Sequence, residues 1–162
     1  MALKVASVLG LLVSASVAGA EPAIPAFPDW CFQAGQTASD ARTNMKRTAG
    51  APLPFALTFW DSSLEAAPQA PEYSERRCEV AFDGAHASEA MRAVTAKMAR
   101  QPGFGTPIAL PKPFARKNTT EMIEARALLR GRVAVVEIGT LPGPRTFIRV
   151  DRLPAGYEWG GA

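Results

Sequence analysis

The sequence is poor in the side chains that carry most covalent and metal chemistry, with one histidine, His86, and two cysteines, Cys31 and Cys78. A zinc site would therefore need mostly carboxylate ligands, which is unusual, and no EF-hand loop is present to bind calcium. The G-x-S-x-G motif of a nucleophile elbow and the C-x-x-C motif of a redox pair are also missing. We expect neither a metal nor a cofactor.

Beyond its first twenty residues the sequence has no apolar run of about 20 residues, the length that a transmembrane helix needs. The first twenty residues, MALKVASVLGLLVSASVAGA, have a positive start at Lys4, an apolar centre and the small residues Ala18–Ala20 at the end. This pattern is typical of a secretory signal peptide. We predict cleavage after Ala20, and an N-terminal anchor that stays uncleaved is the alternative.

The mature chain is predicted to begin at Glu21 and to form a single domain over residues 21–162, with residues 1–20 removed. A chain of that length buries roughly 68% of its unfolded surface. Arginine outnumbers lysine and alanine is common, which is typical of bacterial genomes rich in G and C. The expected location is therefore the periplasm or the outside medium.

Charge is unevenly distributed along the mature chain. Removal of Lys4 leaves 17 basic and 15 acidic side chains, but residues 111–152 hold nine basic side chains against four acidic ones. This bias favours anionic partners such as lipid headgroups, lipopolysaccharide or acidic glycans, whereas an ordinary solvated sheet face is the alternative. Nucleic acid is not expected, because the chain is predicted to be exported and lacks basic-aromatic interleaving. The candidate binding residues are Arg126, Arg130, Arg132, Arg149 and Arg152.

Two cysteines in an oxidising compartment indicate a disulfide. A Cys31–Cys78 bond would close a loop of 48 residues and contribute about 4 kcal/mol by the loop-entropy model. The alternative is a free catalytic thiol at Cys78 with His86 as its base. We predict the disulfide, because Cys78 shares the apolar face of a short strand with Val80 and Phe82.

The hydrophobic pattern predicts an α+β fold, with helices packed on one face of a small, mostly antiparallel sheet that ends in a C-terminal β-meander. Three prolines between Glu21 and Trp30 indicate an extended arm there. Helices are expected over 41–48 and 85–100, and strands over 52–60, 78–82, 133–138 and 146–153.

Residues 120–130 allow two interpretations. From Ile123 to Arg130, apolar side chains occupy every second position and three of the four positions between them are charged, which favours a strand. A helix would start at Thr120 as its cap and stop at Gly131. We favour the strand.

The function indicated by these features is that of a non-catalytic envelope or secreted protein, binding or structural. Its partner would be an envelope protein or an anionic lipid or glycan, bound by the sheet or by the loop Phe104–Phe114. One alternative is a small hydrolase that uses His86. Another is a module that binds anionic lipid or lipopolysaccharide through the basic C-terminal sheet. Arg76 and Arg77 lie among three glutamates, which indicates surface ion pairs rather than a glycosidase acid pair.

Overall fold

A computed structural model of the protein describes residues 21–67, 70–71, 73–100 and 104–157. The predicted signal peptide lies outside the described residues. Of the helices within them, none has the length and apolarity that crossing a membrane would require. The elements, in chain order, are α1 Ala23–Trp30, α2 Ala38–Ala49, β1 Ala56–Asp61, β2 Arg76–Asp83, α3 Ala87–Ala99, β3 Thr106–Ile108, β4 Thr120–Ala127, a 3-10 turn Leu129–Gly131, β5 Val133–Leu141 and β6 Arg145–Arg152.

The six strands form one sheet in the order β1-β2-β6-β5-β4-β3. Each neighbouring pair is antiparallel, and β3 to β6 follow one another as a meander. The predicted α+β class, with its antiparallel sheet and C-terminal meander, is confirmed. The strand is also confirmed for residues 120–127, because β4 pairs with β3 on one side and with β5 on the other.

The hydrophobic core lies between the helices and one face of the sheet. The register places Cys78 of β2 opposite Val150 of β6, and Val150 opposite Val136 of β5, so these side chains share a face. That face packs against the buried side chains of all three helices, including Phe27, Met45, Val94 and Met98. The strand period of two therefore correctly identified the buried face of β2.

The prediction of an extended arm between Glu21 and Trp30 is wrong, since Ala23–Trp30 is a helix. Pro22 precedes the helix and Pro25 lies in its first turn, where backbone N–H groups have no intrahelical acceptor. Pro28 is inside the helix and removes one hydrogen bond. Ile24 and Phe27 are buried in the core, and this packing outweighs the lost bond.

Helix α2 begins three residues before the predicted start, because Thr37 is its N-cap. The Thr37 hydroxyl accepts a hydrogen bond from the Asp40 N–H, and the Asp40 carboxylate accepts one from the Thr37 N–H. This reciprocal pair satisfies two donors that would otherwise be unpaired. Helix α2 ends before Gly50, as the sequence predicted.

The face of the sheet opposite the helices carries a row of ion pairs. Arg77 of β2 binds both carboxylate oxygens of Asp151 at 2.7 and 2.9 Å. Arg149 binds Glu79 through Nη1 at 3.2 Å and Glu137 through Nη2. These are cross-strand pairs of opposite charge, which stabilise a sheet.

Candidate functional site

Cys31 and Cys78 form a disulfide, with an S–S distance of 2.02 Å and a Cα–Cα distance of 5.4 Å. Both residues are buried, and the bond joins the end of α1 to the middle of β2. Because these are the two cysteines of the chain, no free thiol is available to act as a nucleophile.

His86 is the N-cap of α3, and its side chain is 38% exposed. Its Nδ1 lies 3.4 Å from the carboxylate of Glu89, one turn along the helix. The ring packs near Phe82, with centroids 6.1 Å apart. These contacts place His86 on the surface beside a helix start, outside both of the cavities described below.

A cavity of about 620 Å³ lies between the sheet and the segment that follows α1. The disulfide and Phe32 form one wall, Ala134 and Val150 of the sheet form the floor, and Phe104 closes the side. The remaining lining residues are Ala34, Arg76, Gly105, Thr106, Ala127, Leu128, Leu129, Arg132 and Arg152.

Aromatic contacts organise the apolar wall. Phe32 stacks on Phe104 at a centroid distance of 4.1 Å and meets Phe27 of the core edge-on at 5.5 Å. Gly105 follows Phe104 with a φ of +67°, and a Cβ there would come within 2.2 Å of the Ala127 carbonyl oxygen. A glycine is therefore required for this segment to approach β4 so closely.

Three of the five predicted binding arginines lie at this end of the sheet. Arg132 and Arg152 line the 620 Å³ cavity. They also line a second cavity of about 380 Å³, together with Arg130, Asp61 and neighbouring residues. The two cavities therefore share a rim that carries positive charge.

The structure does not bring the other two arginines into that group. Arg126 lies on the same face of the sheet as Arg152, because both residues pair with Ala134. However, its Nε and Nη2 donate to the backbone carbonyls of Phe104 and Gly105, at 2.6 and 2.9 Å, and it lines neither cavity. Arg149 lies on the opposite face of the sheet, since it is an odd number of residues from Arg152 on the same strand. The five arginines therefore do not form one surface.

Arg76 is the residue that sequence reasoning missed. The sequence predicts that it belongs to a surface ion-pair cluster, but it is only 5% exposed and lines the cavity. The signal that could have identified it is the period of two, because Arg76 shares a strand face with Cys78, Val80 and Phe82.

The guanidinium of Arg76 lies 5.1 Å from the ring centroid of Phe59, and its Nε lies 3.9 Å from the Asp61 carboxylate. Burial lowers the pKa of Arg76, and repulsion from Arg152 lowers it further, to about 10, against the opposing attraction of Asp61. At neutral pH the side chain is still protonated. A cation therefore lines a largely apolar, partly open cavity.

Two carboxylates accompany these arginines. Asp61 accepts a hydrogen bond from Arg152 at 2.9 Å and others from the backbone and hydroxyl of Ser63. Glu75 accepts one from Arg132 at 3.1 Å and lies 3.4 Å from Nε of Arg152. Both carboxylates are thus bound by groups other than Arg76.

Comparison of the chain with protein-family models, with curated proteins and with solved structures finds no match.

Proposed function

We propose that this is an exported, non-catalytic binding protein that holds a small, mainly apolar ligand in the 620 Å³ cavity. The observation that carries the proposal is the cavity itself, whose volume lies within the range of about 300–1,000 Å³ typical of small-molecule sites. Its apolar lining with a few polar groups at one end is also typical of such sites.

The polar side chains of the cavity support binding rather than catalysis. They are the three guanidinium groups and the hydroxyl of Thr106. Guanidinium groups donate hydrogen bonds and attract anions, but they keep their protons at neutral pH and so do not serve as general bases there. The disulfide beside Phe32 restrains one wall, which favours a site formed before the ligand arrives.

Export is supported by two features of the chain. The disulfide fits an oxidising, extracytoplasmic compartment, and the first twenty residues have the pattern of a cleaved signal peptide. A periplasmic or secreted binding protein is consistent with both.

The cavity is tested by titration with N-phenyl-1-naphthylamine, a neutral apolar fluorophore. We expect saturable binding to one site per chain. Ala34 is exposed and lines the cavity, so Ala34→Trp should occlude the entrance and weaken binding at least tenfold, about 1.4 kcal/mol. Gln33→Trp is the matched control, because Gln33 is an exposed neighbour that does not line the cavity.

Two results would contradict the assignment of this site. One is the absence of saturable binding to the folded wild-type protein. The other is equal binding by wild type, Ala34→Trp and Gln33→Trp, which would place the fluorophore elsewhere on the surface.

Export is tested by the intact mass of the protein isolated from its native host, after alkylation with and without prior reduction. We expect a chain that begins at Glu21, with thiols that are alkylated only after reduction. A mass that retains residues 1–20, or thiols that react without reduction, would contradict export with cleavage.

A further inference from the structure

Arg76 and Arg77 are adjacent in β2, but they differ in how their positive charges are compensated. Burial alone would lower the pKa of Arg77, but its hydrogen bonds to Asp151 and the charge of that carboxylate outweigh burial and raise it. Arg76 is buried without such a partner: its Nε and Nη2 make no hydrogen bond to the residues that the structure describes. Leaving a buried charged donor unpaired is unfavourable.

The charges around the cavity do not balance. Three guanidinium groups, those of Arg76, Arg132 and Arg152, line it, and two carboxylates, Asp61 and Glu75, lie among them. Both carboxylates are bound by Arg132, Arg152 or Ser63, as described above. Within the described part of the chain, one positive charge is therefore uncompensated at the polar end of a largely apolar cavity.

We propose that the ligand is an amphiphile with one carboxylate, whose headgroup lies among these three arginines with Arg76 as its main counter-charge. The apolar part of the ligand then lies along Phe32, Phe104 and Leu128. This inference rests on the proposed function, since it names the chemical class that the cavity binds. A single negative charge matches the single surplus positive charge, and guanidinium groups bind carboxylates with favourable geometry.

The carboxylate of the ligand supplies the negative charge that Arg76 lacks in the folded chain. This charge stabilises the protonated form of Arg76 and offsets the repulsion from Arg152. The low polarity of the surroundings strengthens this attraction relative to water. A neutral ligand of the same length gains only the burial of its apolar part.

Wild-type protein is titrated at pH 7 with laurate, dodecanol and dodecyl phosphate, by displacement of N-phenyl-1-naphthylamine. We expect laurate to displace the fluorophore at a concentration at least tenfold lower than dodecanol does, with dodecyl phosphate weaker than laurate. Arg76→Met should reduce the affinity for laurate to that for dodecanol and leave dodecanol unchanged. Arg145→Met removes the same charge from the exposed opposite face of the sheet and should change neither affinity more than twofold.

The wild-type comparison needs no variant, so a failure of Arg76→Met to fold would not prevent the test. Equal displacement by laurate and dodecanol would overturn the carboxylate inference and leave the apolar binding site standing. Tighter binding of dodecyl phosphate than of laurate would overturn it in favour of a phosphate. The carboxylate inference would also be overturned if the fluorophore binds but none of the three amphiphiles displaces it. If the fluorophore does not bind at all, both the proposed function and the carboxylate inference are wrong.

Discussion

Replacement of Arg149 by methionine is expected to destabilise the fold by about 3 kcal/mol. The Arg149 side chain is 20% exposed, whereas its partners Glu137 and Asp151 are 6% and 2% exposed. Removal of the guanidinium would leave the Glu137 carboxylate buried without its cation, whereas Asp151 keeps its two hydrogen bonds from Arg77. Loss of the cation from a buried carboxylate costs more than loss of an exposed ion pair. The measurement is the free energy of unfolding in urea at pH 7.

Arg145→Met is the matched control for this change. Arg145 is exposed on the same face of the same strand, and among the described residues it forms no ion pair. Its replacement should alter the free energy of unfolding by less than about 0.5 kcal/mol. Equal effects of the two substitutions would contradict a structural role for Arg149 and restore it as a candidate binding residue.

Reduction of the Cys31–Cys78 disulfide is expected to lower the free energy of unfolding by about 4 kcal/mol, because the bond closes a loop of 48 residues in the unfolded chain. The midpoint of thermal unfolding should fall by about 10 °C for a domain of this size. Urea denaturation with and without dithiothreitol measures the effect.

The double variant Cys31→Ala, Cys78→Ala provides the control, since dithiothreitol should not change its stability. The bond also forms part of the cavity wall beside Phe32, so reduction should weaken binding of the neutral fluorophore. A change in the free energy of unfolding below about 1 kcal/mol on reduction would show that the unfolded chain is restricted by other means.

Local patterns predicted much of the fold. Alternation at Cys78, Val80 and Phe82 identified a strand and its buried face, and the helix predicted over 85–100 corresponds to α3. These patterns can be recognised in the sequence because residues on one face of a helix or strand recur at a fixed spacing. The prediction was wrong at α1, because the three prolines argued against a helix. The packing of Phe27 in the core, which stabilises this helix, depends on distant residues and cannot be inferred from the local sequence.

The arginines illustrate why the site could not be assigned in the same way. In the sequence, Arg76, Arg149 and Arg152 all belong to strands with mixed charge. Their different roles depend on strand pairing: Arg76 is placed opposite Arg152, and Arg149 opposite Glu79 and Glu137. Such contacts join residues 12 to more than 70 positions apart, and no local period encodes them.

By itself, the sequence determined the α+β class, the C-terminal meander, helix α3 and the pairing of the two cysteines. Each follows from local periodicity or from residue counts. The sequence favoured a strand over a helix at residues 120–130, and the tertiary structure settled that choice for β4. Only the tertiary structure placed Arg149 in ion pairs on one face of the sheet and Arg76 in a cavity on the other. The physical reason is that burial and charge compensation depend on which distant segments pack together, and the cavity exists only after Phe104 packs against Phe32 beside the disulfide.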